Sequence, residues 1–374
     1  MQHVPYIELS KSALAHNISL FKQLIGDHAL ACVIKGNAYG HGSAQLVELT
    51  RNHPAITYFA TATLSEALMV RAQGVSKPIL VMSFVDQDPE LAVLHAVDLV
   101  LYAYRDIARF AAAAAHVQRP LYLHIKIDTG LARFGFLPAE LPTVLDQLAQ
   151  YPLLKVRGLM SHCAQADAED ATYTRVQIAQ FNACLDLLLM RGLQVPYLHM
   201  HATAALLKYG MQRTTMVRLG AGLYGMSSSP VQFTQLLARG IDVRQLLTFK
   251  TVIIAERWLP AGTHVGYGST YVTTRATRSA VIAAGYCHGY QRRASNTASV
   301  LVHGQYAAVI GRVTMNTTTI DITDIPEAQI GSEVILYGDY PGVRMTDFAE
   351  TIGCFNPREV AVGLAADVPR IIVP

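Results

Sequence analysis

The chain has 374 residues, enough for two domains of ordinary size, and with 51% hydrophobic against 15% charged residues it is too apolar for disorder. A net charge of +3 without any block of like charges gives no reason to invoke nucleic acid or an acidic membrane surface. Five scattered cysteines, never spaced as CxxC, argue against a disulfide framework or a zinc site; with neither a leader pattern nor an apolar run of the roughly 18 residues a span needs, the expectation is a cytoplasmic protein with a small-molecule ligand.

In chain order, short apolar runs alternate with amphipathic ones between about residues 28 and 225. Eight strands are predicted: Ala29–Lys35, Tyr58–Thr61, Pro78–Phe84, Asp98–Ala103, Leu121–Asp128, Val156–His162, Tyr197–Thr203 and Met216–Tyr224. Helical patterns such as Leu64–Gln73, Ile107–His116 and Thr172–Arg191 lie between them. Eight such units predict an α/β fold of the (β/α)8 barrel type. An open doubly wound sheet is the competitor, but no GxGxxG turn follows the first strand.

After about Pro230 the texture changes to β-branched runs punctuated by glycine and proline: Leu247–Ile254, Arg278–Ala284, Ser299–Val302, Ala307–Val313, Thr317–Ile322 and Glu333–Leu336. The expected division is a barrel over residues 12–235 and a mostly β domain over 236–374, which also takes a strand from within residues 1–11.

Barrels of this kind carry their chemistry at the carboxyl ends of strands. The first predicted strand ends on Lys35, in the run Val33-Ile34-Lys35-Gly36-Asn37-Ala38-Tyr39-Gly40-His41-Gly42. A lysine closing an apolar strand is partly desolvated, which lowers its proton affinity and suits a Schiff base; alone, it could equally be a strand-end lysine reaching solvent. After the fifth strand, Arg133 offers a planar fork for a carboxylate or a phenol, with Asp128 a cap or, for Arg133, a plain surface ion pair as the simpler readings. The sixth strand leads to His162. The seventh and eighth give Thr203 and the run Arg218-Leu219-Gly220-Ala221-Gly222, a hydroxyl and backbone amides where barrels commonly hold a phosphate. The His199/His201 pair has no third histidine or carboxylate close by, so no metal is expected.

These pieces, in this order and over nearly the whole chain, resemble the alanine racemase family, and Val33 to Gly42 is similar to its cofactor-lysine signature with Gly36 where alanine is usual. The resemblance implies pyridoxal 5'-phosphate as cofactor, joined covalently to Lys35, with Tyr39, Thr203, Gly220 and Ala221 on its phosphate. It places Arg218 opposite the pyridine nitrogen. A guanidinium cannot easily donate its proton there, which leaves the ring a weaker electron sink and favours simple inversion over transamination.

Inversion needs two bases on opposite faces. The resemblance supplies Lys35 and, from Val265-Gly266-Tyr267-Gly268-Ser269, Tyr267, with His162 and Arg218 in line to favour its phenolate. It further implies a homodimer with shared active sites, Arg133 steadying the phenol and the substrate carboxylate, and Lys126 as a lysine that family members can carry as a carbamate. Substrate contacts fall to Met315, Asn316 and Tyr286. Asn316 stands where aspartate is usual, His288 where aspartate is common, and Arg358 where the family typically has a tyrosine at the pocket and phosphate.

The expected reaction is racemisation of a small amino acid, alanine first, giving a peptidoglycan precursor. Serine, lysine or another polar amino acid is the alternative that the substrate-side replacements raise. A non-catalytic cofactor-binding protein and a decarboxylase on the same plan are further options. The first is disfavoured by Tyr267 and the β domain, the second by the order Lys35, Tyr39, Arg218, Tyr267.

Overall fold

The computed structural model describes residues 4–374 apart from Ser228 and Phe355. Strand β1 (Tyr6–Ser10) precedes eight strands that alternate with helices: β2 (Ala29–Val33), β3 (Tyr58–Thr63), β4 (Ile79–Phe84), β5 (Val97–Leu101), β6 (Leu121–Lys126), β7 (Leu154–Met160), β8 (Tyr197–His199) and β9 (Met216–Leu219). All eight predicted strands are present. They pair in parallel in the order β8-β7-β6-β5-β4-β3-β2-β9. Between β8 and β9 there is no regular ladder, but Thr215 N–H donates to Leu198 O at 2.8 Å and Arg218 N–H to His201 O at 3.1 Å, which nearly closes the barrel.

Six of the eight strands stop short of their predicted ends, and three of them bear on the site. β2 ends at Val33 rather than Lys35, and Ile34 N–H still bonds to Ala60 O at 2.9 Å. β8 ends at His199 because Thr203 opens the helix Thr203–Tyr209, and β9 ends at Leu219 because a run of turns follows. In each case the residues past the strand are those singled out for chemistry. Hydrophobic continuity reads through such a boundary because buried loop residues next to a barrel mouth are as apolar as the strand itself.

The second region contains β10 (Leu247–Leu259), β11 (His264–Val265), β12 (Tyr271–Val272), β13 (Thr277–Ile282), β14 (Ser299–Val302), β15 (Gln305–Ala308), β16 (Thr318–Asp321), β17 (Glu333–Tyr337) and β18 (Arg370–Val373). Its main path runs β15-β14-β17-β10-β1-β18, with β13 bonded to β10 and β16. β1 is antiparallel to β10 and parallel to β18, which brings the two ends of the described chain into one sheet. By contact density the chain forms two compact units: residues 21–38 with 46–220, and residues 1–20, 39–45 and 221–374. Among the described residues no helix is long and apolar enough to cross a membrane.

Candidate active site

In the barrel unit, β2 lies between β3 and β9, and its register sets Ala31 opposite Arg218 and Cys32 opposite Leu219. The chain leaving β2 at half-buried Lys35 is therefore neighbour to the chain leaving β9 at Gly220. Just after Lys35 the backbone makes a single left-handed turn. Gly36 (φ 62°), Asn37 (φ 52°), Ala38 (φ 52°) and Tyr39 (φ 55°) follow one another in the left-handed region. Each non-glycine residue held there costs about 1–2 kcal/mol, so the turn persists only because its surroundings impose it. Glu66 supplies one restraint: its carboxylate accepts from Gly36 N–H at 2.8 Å and from Ala62 N–H at 2.7 Å.

Arg218 is buried on β9. It donates to Nδ1 of His199 at 2.7 Å, to Nδ1 of His162 at 3.1 Å, and to the carbonyls of Ser161, His199 and Met200 at 2.9, 3.0 and 3.2 Å. His162 is held well below the ordinary imidazole range, first by burial and then by the charges of Arg218, Lys126, Arg133 and Lys35. Of these groups, Arg218 bonds to the ring directly.

Lys126 ends β6 at 2% exposure, and burial together with the charges of Arg218 and Arg133 lowers its pKa to about 7. Its ammonium nitrogen lies 5.3 Å from the centre of the Phe134 ring, with the Arg133 guanidinium 5.0 Å from the same ring. Asp128 holds the loop that carries Arg133. Its carboxylate accepts from the backbone N–H groups of Gly130, Leu131, Ala132 and Arg133 at 2.9 to 3.1 Å, so it caps a loop and not a helix. Burial alone would raise this carboxyl; the four N–H groups bring it below its usual range. Gly135 (φ 136°) closes the loop against backbone, because a Cβ there would lie 2.7 Å from Asp128 N.

The barrel unit accordingly brings together Lys35, Lys126, Arg133, His162 and Arg218, with Thr203 at the end of the neighbouring chain segment. The other compact unit carries Tyr39, Ala221, Tyr267, Tyr286, Met315, Asn316 and Arg358. There, the exposed Tyr267 sits in a one-turn 3-10 segment, Tyr267–Ser269, whose glycines pack on Gly311 and Arg312: a Cβ at Gly266 would meet Arg312 N at 3.2 Å. Tyr286 N–H donates to Thr314 O and Cys287 N–H to Met315 O, both at 3.0 Å, joining Tyr286 to the Met315–Asn316 segment. Arg358 bonds to Asn356 Oδ1 at 3.2 Å.

Several residues of the barrel escaped the sequence reading. His124, Asp98, Tyr58 and Arg157 are tied by hydrogen bonds to His199 and so to Arg218. A signal existed: Asp98 and His124 are polar residues within otherwise apolar strand runs. Cys287 was also missed. It receives Asn316 Nδ2–H at 3.2 Å and lies 3.5 Å from both ring nitrogens of His288, so two replaced positions meet at one thiol.

Models of the alanine racemase N-terminal and C-terminal domains match residues 9–228 and 246–372. An alanine racemase of Halothermothrix orenii is 34% identical over 98% of this chain and 96% of its own length, and alanine racemase 2 of Caldanaerobacter subterraneus subsp. tengcongensis is 31% identical over 98% and 94%. Among solved structures, an alanine racemase from a D-cycloserine-producing Streptomyces lavendulae superposes with a TM-score of 0.93 at 27% identity, covering 100% of this chain and 98% of that one. The biosynthetic alanine racemase of Pseudomonas aeruginosa gives 0.87 at 30% identity, with both chains fully covered.

Proposed function

The chain belongs to the alanine racemase family, and from that premise we propose that Lys35 and Tyr267 of the partner subunit are the two bases of its reaction, the pyridoxal-phosphate-dependent interconversion of L- and D-alanine. The whole-length likeness to alanine racemases carries the activity, and serine, lysine or decarboxylation as alternatives have no comparable support.

The donor set of the barrel unit fits the cofactor. Arg218 bonds to His162, Lys126 and Arg133 both approach the Phe134 ring, and the Asp128 carboxylate on the Arg133 loop is engaged by four backbone N–H groups. Such a site is short of anions, and a phosphate together with a substrate carboxylate would supply them. In this unit Lys35 offers the amine for covalent attachment, Thr203 and Gly220 phosphate donors, and Arg218 a donor for the ring nitrogen; Tyr39 and Ala221, further phosphate donors by the family resemblance, belong to the other unit. When bound, the cofactor withdraws electrons from the substrate α-carbon and makes its proton acidic.

The remaining work falls to side chains. Arg133, fixed by the Asp128 cap, orients the substrate carboxylate. His162 stays neutral, and with its Nδ1 occupied by Arg218 it keeps an N–H on Nε2 for the Tyr267 phenol. Lys35 and Tyr267 approach from opposite faces, so a proton taken by one and returned by the other inverts the centre. On the substrate side, Tyr286, Met315 and Asn316 line the approach and Arg358 stands in for the family's tyrosine. The reading includes a homodimer with shared sites and a cytoplasmic enzyme making D-alanine for cell-wall synthesis. Five free cysteines, four of them buried, suit a reducing compartment.

The observation that carries the residue assignment is the bond of buried Arg218 to His162, with Lys126 and Arg133 at the Phe134 ring and Lys35 leaving the strand paired with that of Arg218. Subunit mixing tests it. Lys35→Ala and Tyr267→Phe proteins should each racemise alanine about 10² to 10⁴ times more slowly than the parent. Unfolded and refolded together, they should recover roughly a quarter of parental activity, since each mixed dimer has one intact site. No recovery on mixing would overturn the shared site.

A further inference from the structure

Barrels are commonly filled by layers of branched aliphatic side chains. Here a polar column runs through the interior instead. Asp98 is the second residue of β5 and Tyr58 the first of β3, at the foot of the barrel; His124 stands midway along β6; His199 ends β8, beside Arg218. Tyr58, Asp98, His124, His199 and Arg218 are all buried.

One fact fixes every proton in the column. A guanidinium has donors only, so Nδ1 of His199, 2.7 Å from Nη1 of Arg218, must present a lone pair. His199 is neutral in this apolar setting, and its one proton is therefore on Nε2. That nitrogen lies 2.7 Å from Nδ1 of His124, which must then accept. The His124 proton is left on Nε2, 3.4 Å from both Oδ2 of Asp98 and the Tyr58 hydroxyl oxygen. Arg218 donates to His199 and His199 to His124, whose remaining N–H faces the Asp98 carboxylate with its Tyr58 partner.

The foot is built to keep that carboxylate charged and still. Arg157 Nη1 lies 3.0 Å from both Asp98 oxygens, and the Tyr58 hydroxyl donates to Oδ2. The walls make room for the column. The β6–β7 register shifts between Leu123 and His124, a local irregularity of the kind that re-aims a side chain. Gly158 on β7 leaves the space the imidazole fills, because a Cβ there would lie 2.0 Å from His124 Nδ1.

We propose that Asp98 is a positioning residue for Arg218, acting through the fixed tautomers of His124 and His199 to hold the guanidinium in the single orientation that faces the cofactor ring. Without the carboxylate, His124 has no reason to keep its proton on Nε2. Its Nδ1 can then become a donor, and the side-chain contact between His199 and Arg218, one of at least five bonds that hold the guanidinium, loses its direction. The inference rests on Arg218 facing the cofactor.

The test is nitrogen NMR of the holoenzyme labelled at histidine, with His199 and His124 assigned by difference against His199→Asn and His124→Asn proteins. In the parent protein both rings should show a bare Nδ1 and a protonated Nε2; a proton on either Nδ1, or a doubly protonated ring, overturns the proposal without any Asp98 variant. In Asp98→Asn, both rings should become tautomer mixtures, and cofactor dissociation should strengthen its dependence on the lost contact by rising about tenfold, the usual scale for an outer partner of a ligand. Unmixed rings or unchanged dissociation in Asp98→Asn overturn the positioning role. Unchanged cofactor dissociation in Arg218→Gln, with the column's tautomers as expected in the parent, instead sinks the assignment of Arg218 to the ring.

Discussion

Arg218 donates through Nη2 to Nδ1 of His162 at 3.1 Å, while its Nη1 serves Nδ1 of His199. Both imidazoles are thereby neutral acceptors, and the barrel interior holds further neutral histidines: His124 is lowered by burial, and burial with the charge of Arg218 takes His201 down to about 4.

These histidines predict acid sensitivity. In the unfolded chain each takes up a proton near its ordinary value of about 6.5, while in the native barrel it does not. Their contribution is complete above pH 6.5 and is lost as pH falls, for His201 down to about 4. Each should contribute a slope of up to about 1.4 kcal/mol per pH unit within its window. Denaturant unfolding at pH 7, 6 and 5 should show a steep loss; a flat response between pH 6.5 and 5 would contradict the neutral assignment.

Lys126 predicts a reaction with carbon dioxide. An amine with a pKa of about 7, wedged between Arg133 and Arg218, is substantially unprotonated at pH 8, and a carbamate would convert it to an anion flanked by two cations. Protein equilibrated with carbon-13 bicarbonate should show one protected carbamate signal, absent in Lys126→Met. A signal that survives that substitution would assign the site elsewhere.

The fold was largely legible because period and length sufficed for it: all eight barrel strands and the β-rich second region follow from short apolar runs separated by turns. What the pattern could not give was the interior. A polar residue inside an apolar run, such as Asp98 or His124, looks like an exception until the strands are curled together and its partners, Arg157 and His199, arrive from β7 and β8. The same holds for Cys287, whose contacts with Asn316 and His288 unite positions that had been read separately. The left-handed turn after Lys35 was hidden as well, since Asn37 and Ala38 carry no compulsory signal for positive φ.

Gly135 predicts the importance of the Arg133 loop. A methyl group at this position, with φ at 136°, would press on the backbone of Asp128. Gly135→Ala should cost at least about 1–3 kcal/mol of stability and displace the Arg133 cap. Alanine kinetics should show a larger rise in KM than fall in kcat, as expected when carboxylate binding loosens. A variant with parental KM would detach the loop from substrate binding.

Gly36 predicts a milder effect. At φ 62° an ideal Cβ meets nothing within 4 Å, so Gly36→Ala faces backbone strain alone, about 1 kcal/mol. The denaturant midpoint should fall modestly with racemisation nearly unchanged. A loss of several kcal/mol would mean that the open space around this residue is used.

The pairing of β1 with β18 has a bearing on how the protein is made. A ribosome delivers Tyr6–Ser10 more than three hundred residues before Arg370–Val373, the strand that flanks it. The barrel staves from Ala29 to Leu219 are contiguous in synthesis and can assemble while translation continues, whereas the sheet that holds the first strand must wait for its final neighbour. Removing Arg370–Val373 should therefore leave Tyr6–Ser10 with an open edge, so a nascent chain halted before that strand would expose an unpaired strand prone to aggregation.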